Sequence, residues 1–405
     1  MGRNILLGVS GGIAAYKACE LVRAFRKLGD DVRVIMTEGA QEFVQPLTMQ
    51  VLSENPVGTA TFDPTYESQI GHIDLARWAD VVLVAPATAN LIARMAQGMA
   101  DDLLTTVLLA TTAPVVVAPA MNTQMWNHPR VQANLEILAA TPRHRVVEPD
   151  AGELACKEVG PGRLPDPHVL LQAVDQAVTE PILAGKKVLI TAGPTREFID
   201  PARFISNPST GKMGHSIAQA AQAMGAEVLL IRGPVDLERP FGVDVLEVTT
   251  ARTMHKAVMA RAREMDFVVM VAAVADWRPV DEKAEKVKKS EMSDTLKMER
   301  NPDILAELGE QFGPESSSDG PIVIGFAAES RDIVERAREK MKRKGAHIMV
   351  ANQIGGSRST FGADSATIHV VSERTVTDYP ADTKAKLGRA LWREVVRLTQ
   401  STLAP

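Results

Sequence analysis

The chain has 405 residues, enough for two or three domains, and 45% of them are apolar, so each half can bury a core of its own. The net charge of −5 and the aromatic content of 4% argue against nucleic acid as the main partner, because they predict neither a basic face nor a platform for stacking bases. The two cysteines, Cys19 and Cys156, are too few for a disulfide framework and favour a reducing, cytoplasmic location. We expect neither a leader peptide nor a membrane span.

The first half alternates apolar strands with helical segments. Residues 3–9 are predicted as a strand, and the helix that follows ends at Gly29. Further elements are strands at 32–36, 81–85, 115–118 and 145–148 and a closing helix at 167–179. This alternation predicts an α/β fold with a doubly wound parallel sheet. Residues 150–164 contain several glycines and interrupt the pattern, and we interpret them as a mobile flap.

A glycine-rich corner follows the first strand. Ser10-Gly11-Gly12 turns the chain into a helix, whose first N–H groups can bind a phosphate. The corner lacks the G-x-G-x-x-G pattern, and Thr37 ends the second strand where an NAD site has an acid, so an NAD-dependent dehydrogenase is disfavoured. The preferred ligand is a mononucleotide such as FMN, and the alternative is a purely structural turn. The residues expected to hold FMN are Ser10, Gly11, Gly12, Thr37, Pro86, Ala87, Thr88 and Asn90.

Three other side chains in the first half have useful chemistry. His72 precedes an amphipathic segment, Asn122 follows a strand, and Cys156 lies in the flap. Taken singly, the histidine could be structural, the asparagine a helix cap and the cysteine a small buried hydrophobe. A flap has little core to fill, however, so packing alone explains a cysteine there poorly.

The first half resembles the flavin-dependent cysteine decarboxylases, specifically the phosphopantothenoylcysteine decarboxylases, and the resemblance implies a Rossmann-like, doubly wound sheet of the flavodoxin-like type. The motifs occur in order over about residues 1–180: Ser-Gly-Gly-Ile-Ala-Ala-Tyr-Lys, Gly-His-Ile-Asp-Leu, Ala-Pro-Ala-Thr-Ala-Asn, Pro-Ala-Met-Asn and an Ala-Cys flap. The resemblance implies that FMN oxidises the substrate thiol to a thioaldehyde, that the carboxylate is lost, and that a hydride then returns. It also implies that Cys156 donates a proton, that His72 is the base or orienter, and that Asn122 holds the substrate carboxylate.

The second half repeats the strand–helix alternation. We predict a first domain at 1–179, a linker at 180–186 and a second doubly wound, Rossmann-like domain at 187–405. The predicted strands are 187–191, 226–231, 244–248, 266–271, 321–326 and 346–351. The predicted helices are 211–224, 252–264, 302–311, 331–343 and 384–401, and the irregular stretches are 277–299 and 313–320.

Candidate ligand-binding residues recur in this half. The segment 209–214 opens a helix and can accept a phosphate, but it is no P-loop, because Ser206 and Met213 stand where that motif needs glycine and a hydroxyl. Asp276 follows a strand, where a carboxylate serves a metal or a nucleotide or is merely a solvated loop acid. Lys286 lies in a lysine-rich loop, which is either a solvated face or a segment that closes over a triphosphate.

The second half resembles the phosphopantothenate–cysteine ligases over about residues 187–400. The motifs are Ile-Thr-Ala-Gly-Pro-Thr-Arg-Glu, Ser-Asn-Pro-Ser-Thr-Gly-Lys-Met-Gly, Ala-Ala-Val-Ala-Asp, Lys-x-Lys-Lys, Asn-Pro-Asp-Ile and Gly-Phe-Ala-Ala-Glu. The resemblance implies that CTP and Mg²⁺ convert 4′-phosphopantothenate to an acyl-cytidylate, which the amine of L-cysteine then attacks. Lys286 would activate the first step and Asn207 would act in the second. The implied nucleotide contacts are Asp276, Lys286, Asn301, Pro302, Asp303, Ile304, Phe326, Lys340 and Lys344.

The whole chain therefore resembles the bacterial bifunctional enzymes of coenzyme A biosynthesis. This resemblance implies a cytoplasmic homo-oligomer, a trimer-based dodecamer, that binds small molecules and neither nucleic acid nor membrane. The choice of CTP over ATP rests on the fused arrangement, and the sequence does not identify the metal ligands. Pro208 and Thr210 depart from the family motif, but Thr210 keeps the hydroxyl. The alternative function is a flavin-binding regulatory protein of the same fold without turnover.

Overall fold

The computed structural model describes residues 2–61, 71–155, 157–288, 295–316, 319–329, 331–353 and 363–403. The chain forms two compact units, Met1–Thr179 and Glu180–Pro405. Residues 180–186, predicted as a linker, belong to the second unit, and Leu183 is buried in its core. Among the described residues, none of the helices combines the length and the apolar character needed to cross a bilayer.

The first unit contains a parallel six-stranded sheet. Its strands are β1 (Asn4–Val9), β2 (Asp31–Met36), β3 (Val57–Gly58), β4 (Val81–Ala87), β5 (Val115–Pro119) and β6 (His144–Val146). They lie in the order β3-β2-β1-β4-β5-β6, and each neighbouring pair is parallel. This order is that of the Rossmann fold and differs from the flavodoxin order, so the doubly wound prediction is confirmed in its Rossmann form. The order reverses between β1 and β4, and open sheets of this kind bind ligands at the carboxyl ends of such strands.

Helices cover both faces of this sheet, and the central strands are almost entirely buried. After a short 3₁₀ turn at Ile13–Lys17, the helices are α1 (Ala18–Lys27), α2 (Glu38–Gln41), α3 (Pro46–Ser53), α4 (His72–Trp78), α5 (Ala89–Ala96), α6 (Leu103–Ala110), α7 (Thr123–Trp126), α8 (Pro129–Ala140) and α9 (Pro167–Val178).

The predicted irregular flap contains an antiparallel hairpin. Its strands are β7 (Asp150–Glu153) and β8 (Val159–Arg163). The glycines and prolines of this stretch do not predict strands, because both residue types are rare inside strands. Here they have positional roles: Gly162 has a φ of 140°, and a Cβ on it would lie 2.1 Å from the Met121 carbonyl oxygen. The hairpin can approach residue 121 closely only because residue 162 is glycine.

The second unit contains a larger, mixed sheet. The strands in chain order are β9 (Lys187–Ala192), β10 (Arg196–Asp200), β11 (Arg203–Ser206), β12 (Glu227–Arg232), β13 (Asp244–Glu247), β14 (Phe267–Met270), β15 (Trp277–Pro279), β16 (Met298–Arg300), β17 (Ile322–Glu329), β18 (Ile348–Gln353), β19 (Ser365–Val371) and β20 (Val376–Thr383). The main sheet has the order β13-β12-β9-β14-β17-β18-β19-β20. Its first six strands are parallel and repeat the Rossmann order, whereas β19 and β20 pair antiparallel at one edge. Two small hairpins, β10–β11 and β15–β16, stand outside this sheet.

Five helices pack around the second sheet within the described residues. They are α10 (Lys212–Ala223), α11 (Ala251–Met259), α12 (Ile304–Phe312), α13 (Ile333–Lys344) and α14 (Lys384–Leu403). Trp392 on α14 is fully buried, donates its Nε1–H to the Ile217 carbonyl at 3.0 Å, and packs edge-on against Phe267. Gly388 lets α14 approach α10, since a Cβ there would lie 2.8 Å from the Ser216 carbonyl oxygen. The two helix starts that matter for the site, Lys212 and Lys384, are therefore fixed by a tight helix–helix contact.

Candidate functional site

The corner after β1 is held against the end of β4 by hydrogen bonds. The Ser10 hydroxyl donates to the Pro86 carbonyl at 2.7 Å and accepts from the Thr88 N–H at 2.9 Å. Thr88 also caps α5, because its hydroxyl accepts from the Leu91 N–H. These contacts bring three of the predicted flavin residues to the point where the strand order reverses.

The glycines of this corner leave room for a ligand. A Cβ on Gly11 would lie 2.6 Å from the Gly39 carbonyl carbon, so the corner packs directly on the start of α2, which Thr37 precedes. A Cβ on Gly12 would have only the Thr88 methyl within 4 Å, at 3.8 Å. The space next to Gly12 is therefore open, and the corner fits a phosphate-bearing group such as FMN. Asn90, also predicted to bind FMN, is exposed on α5.

His72 is the first residue of α4 and is half-buried. Gly71 is the N-cap of α4, so His72 lies at the positive end of the helix dipole, which favours an anionic group nearby. The stretch before it, residues 62–70, lies outside the described residues. The role of His72 as base or orienter stays a prediction.

Asn122 joins a helix cap to the flap hairpin. Its Oδ1 accepts from the Gln124 N–H at 2.7 Å and caps α7, and its Nδ2 donates to Oε2 of Glu158 at 2.7 Å. The Thr123 hydroxyl adds a hydrogen bond to the Pro161 carbonyl at 2.9 Å. The helix-cap interpretation is thus realised, but the same side chain also holds the hairpin. Cys156 lies outside the described residues.

The second unit contains a cavity of about 880 Å³ at the carboxyl ends of its central strands. It includes Asn207 and every predicted nucleotide contact except Lys286. Those lining residues are Asn207, Asp276, Asn301, Pro302, Asp303, Ile304, Phe326, Lys340 and Lys344. A cavity of this size is in the range that holds a nucleotide-sized ligand.

Two lysines on α13 supply positive charge to this cavity. Lys340 Nζ donates to the Phe326 carbonyl at 3.1 Å, and Lys344 pairs with Asp303, the N-cap of α12. Burial lowers the pKa of Lys340, and the charge of Lys344 lowers it further, whereas nearby carboxylates raise it. Burial would raise the pKa of Asp303, but hydrogen bonds from Lys344 and the Ala306 N–H outweigh this and lower it. Asp303 therefore stays ionised and fixes Lys344 at the cavity.

Two asparagines organise the loops at the strand ends. Asn301 Nδ2 donates to the Ala275 carbonyl at 2.8 Å, and its N–H donates to the Asp276 carbonyl at 2.9 Å. Asn207 Nδ2 lies within hydrogen-bonding distance of the Ala273 and Val274 carbonyls, at 3.1 and 3.2 Å. Both side chains therefore stabilise the conformation of the loop 273–276. The backbone hydrogen bond from Asn301 also fixes the position of the Asp276 main chain.

Lys286 is not part of the cavity lining in this structure. Its side chain is exposed, and the next residue is fixed elsewhere: the Val287 N–H donates to Asp200, and its carbonyl accepts from Arg203 at 2.9 Å. The lysine-rich loop thus packs on the β10–β11 hairpin up to residue 288. That Lys286 closes over a triphosphate stays a prediction.

Comparisons with known proteins agree over both units. A family model described as Flavoprotein matches residues 1–179, and one described as DNA/pantothenate metabolism flavoprotein C-terminal domain matches 183–398. A Vibrio vulnificus relative named Coenzyme A biosynthesis bifunctional protein CoaBC is 44% identical over 402 residues, 98% of each chain. The chain belongs to this family. The Escherichia coli K12 relative of the same name is 45% identical over 98% of this chain and 97% of its own. A crystal structure of the C-terminal domain of such a protein is 34% identical and aligns with 55% of this chain and 100% of that one, with a TM-score of 0.46.

Some cavity residues of this CoaBC family member were not predicted from the sequence. Lys384 lines the cavity at the start of α14, and Asn352 lines it at the end of β18. Lys212, at the start of α10, also lines the cavity and belongs to the 209–214 segment that is predicted to accept a phosphate. The Asn352 Oδ1 is buried and has no hydrogen-bond partner among the residues that the structure describes. The carboxyl-end rule for parallel strands could have identified Asn352, but nothing local marks Lys384, which is brought in by the packing of α14.

The Mg²⁺ that the family resemblance implies has no evident side-chain site among the described residues. No group of three or more His, Cys, Asp or Glu residues that could hold a metal occurs among the described residues. Asp276 is exposed at the cavity, and Asp303 is paired with Lys344. This donor set fits an ion that is bound mainly through ligand phosphates and water, which is how Mg²⁺ commonly binds with nucleotides.

A buried histidine supports the start of α10. His215 Nε2 lies 3.1 Å from Arg232 Nη1, which can only donate, so the proton is on Nδ1, which donates to the Gly211 carbonyl at 3.1 Å. Burial lowers the pKa of His215, and the Arg232 charge lowers it further, although the Gly211 carbonyl raises it. His215 therefore stays neutral in the folded chain and fixes the turn that lines the cavity.

We expect this histidine to make the chain less stable in acid. Below the ordinary pKa of 6.5, His215 binds a proton in the unfolded chain but not in the folded chain. The free energy of unfolding therefore decreases as the pH is lowered. Since Gln keeps one donor and one acceptor, His215→Gln should lose less stability between about pH 7.5 and about pH 5.5. Thermal unfolding of both full-length chains across this range measures the difference. Equal pH dependence of the two midpoints would contradict the assignment.

Proposed function

We propose that this chain makes 4′-phosphopantetheine in two steps. The second unit joins 4′-phosphopantothenate to L-cysteine with CTP, and the first unit decarboxylates the product with FMN. Membership of the bifunctional coenzyme A biosynthesis family carries both activities. The observation that supports the ligase half most directly is the cavity of the second unit, in which eight of the nine predicted nucleotide contacts meet.

In the ligase half, the substrate carboxylate attacks the α-phosphorus of CTP and pyrophosphate leaves. Lys340 and Lys344 supply positive charge toward the triphosphate, and Asp303 keeps Lys344 oriented. The amine of cysteine then attacks the acyl carbon, loses a proton and releases CMP. Asn207, which borders the cavity beside the 273–276 loop, is the residue that we propose for this second step.

In the decarboxylase half, the corner of Ser10, Gly12 and Thr88 would hold the FMN phosphate. Bound FMN would supply the oxidation of the substrate thiol and the later return of a hydride. Asn122 would hold the substrate carboxylate beside the hairpin, and the hairpin would exclude water from the bound substrate. Cys156 would donate a proton, and His72 would act as base or orienter. We also propose Mg²⁺ with the CTP phosphates, a cytoplasmic location, and a homo-oligomer of the trimer-based dodecamer type.

Reconstitution of the full reaction tests this proposal. The purified chain should show flavin absorbance and should convert 4′-phosphopantothenate, cysteine and CTP to 4′-phosphopantetheine, with equal amounts of pyrophosphate, CMP and carbon dioxide. Replacement of CTP by ATP at the same concentration measures nucleotide preference, and removal of Mg²⁺ by a chelator should stop pyrophosphate release. Flavin absorbance without product would instead favour the regulatory alternative.

A further inference from the structure

A loop of the second unit borders the cavity and is held by buried threonines. Residues 271–276 all line the cavity, and they belong to neither a helix nor a strand. The Thr191 hydroxyl accepts from the first two N–H groups of this loop at 3.1 and 3.2 Å. The Thr195 hydroxyl accepts from the Ala275 N–H at 3.0 Å. Both threonines are fully buried and lie outside the cavity lining, so they act on the loop rather than on a ligand.

Thr195 also contacts the segment that carries Asn207. Its carbonyl accepts from the Ser206 hydroxyl at 2.7 Å, and Asn207 is the next residue. Its hydroxyl holds Ala275, which immediately precedes Asp276. Asn207 and Asp276 both line the cavity. One buried threonine therefore connects the residue proposed for the second ligase step with a predicted nucleotide contact.

The hydrogen bond between Thr195 and Ala275 is shielded from water. Thr195 has no exposed surface, and Ala275 is only 5% exposed. A buried N–H that loses its acceptor destabilises the conformation that buries it. Because residues 271–276 have no helix or strand ladder of their own, loss of this hydrogen bond should let the loop move. A displacement of about 1 Å at a reaction site can lower the rate about a hundred-fold.

We propose that Thr195 is a positioning residue of the ligase, whose hydroxyl and carbonyl set the spacing between Asn207 and the loop 271–276. The inference rests on the proposed ligase function. Thr195→Val removes the hydroxyl and keeps a side chain of similar size, whereas Thr195→Ser keeps the hydroxyl. The two variants therefore separate the loss of the hydrogen bond from a change in packing.

Amide hydrogen exchange of the ligand-free, full-length chain tests the contact with the loop. Thr195→Val should raise the exchange rate of the 271–276 amides about ten-fold, because the Ala275 N–H loses its acceptor. Thr195→Ser should leave it unchanged. Thr377→Val is the matched control: Thr377 is a half-buried threonine of β20, its hydroxyl donates to Glu394, and it lies outside the cavity lining. This control should leave exchange in the loop unaltered.

Ligase kinetics test the positioning role. Thr195→Val should lower kcat about ten-fold or more, because the loop and Asn207 are no longer held in register. KM for CTP should change less than about three-fold, since Lys340 and Lys344 on α13 keep their contacts. Thr195→Ser should restore kcat, and Thr377→Val should keep it. A merely structural threonine would lower the thermal midpoint and leave kcat of the folded chain unaltered.

Unchanged loop exchange or unchanged kcat in Thr195→Val overturns the proposal, as does an equal loss of kcat in Thr195→Ser. Exchange in the buried strand β14 shows whether the second unit of each variant is folded. If Thr195→Val does not fold, Ser206→Ala replaces it: this change at a half-buried residue removes the hydrogen bond to the Thr195 carbonyl and should lower kcat about three-fold, and an unchanged kcat overturns the proposal. The exchange measurement needs no turnover, so an unaltered chain without ligase activity would refute the proposed function, while exchange would still decide whether Thr195 holds the loop.

Discussion

Replacement of Lys340 by glutamine is expected to lower kcat/KM of the ligase about a hundred-fold and to leave the decarboxylase unchanged. Lys340 lines the cavity, and its Nζ is held 3.1 Å from the Phe326 carbonyl. Lys340 is half-buried, and burial lowers its pKa, so its charge is less screened by water than that of an exposed lysine and acts more strongly on a nearby triphosphate. Glutamine can keep the hydrogen bond to the carbonyl but removes the charge. CTP-dependent release of pyrophosphate measures the ligase.

Because one chain carries both activities, the decarboxylase activity is an internal control for the ligase variant. Decarboxylation of supplied 4′-phosphopantothenoylcysteine should proceed at the unaltered rate, which shows that the first unit of the variant is folded. Lys342→Gln alters an exposed lysine on the same helix outside the cavity lining and should keep both activities. Lys286→Ala tests the lysine that the sequence favoured: a comparable ligase loss would mean that its loop closes during turnover. Full ligase activity in Lys340→Gln would contradict the role given to Lys340.

The parallel strands and their carboxyl-end residues could be predicted because burial on both faces leaves a clear sequence pattern. Strands such as β4 and β14 are continuous apolar runs. The rule that ligands bind at the carboxyl ends of such strands points to the residues that follow them, such as Thr88 and Asp276. The prediction that most of the nucleotide residues meet was made from a family resemblance, however. Spacing alone could not show that Lys340 and Asp276 border one cavity.

The elements that the sequence did not reveal lack that apolar pattern for physical reasons. Strand β20, Val376–Thr383, lies at the sheet edge and is largely exposed, and its two aspartates and a proline are typical of an edge protected from further pairing. The β10–β11 hairpin did have a signal. Asp200 precedes a proline and its Oδ1 accepts from the Ala202 N–H at 2.9 Å, a turn that the Asp-Pro pair predicts.

The cavity residues that were missed depend on tertiary packing rather than on local pattern. Lys384 reaches the cavity because Gly388 lets α14 lie close to α10, and Asp364 reaches Lys212 because β19 pairs with β18. Lys286 differs from these residues, because it lies outside the cavity lining in this structure while Asp200 and Arg203 bind the neighbouring Val287, and its closure over a triphosphate stays a prediction. Charge in a sequence indicates what a residue can bind and does not indicate where the chain carries it.

Replacement of Asn122 by alanine is expected to lower the decarboxylase rate about a hundred-fold and to leave the ligase unchanged. Asn122 caps α7 through the Gln124 N–H and holds the flap hairpin through Glu158, both at 2.7 Å. Loss of the cap alone should cost about 1 kcal/mol of stability, too little to unfold the unit. Carbon dioxide release from 4′-phosphopantothenoylcysteine measures the rate.

Glu158→Ala separates the two ways in which Asn122 can act. This variant removes the Asn122–Glu158 hydrogen bond and leaves both the α7 cap and the asparagine amide in place. If Asn122 binds the substrate carboxylate, Glu158→Ala should keep most of the activity, and Asn122→Ala should raise KM as well as lower kcat. If Asn122 serves mainly to dock the hairpin, the two variants should lose decarboxylase activity to the same extent, because in both the hairpin is no longer held against Asn122 and Thr123. Unaltered decarboxylation in Asn122→Ala would remove Asn122 from the site altogether.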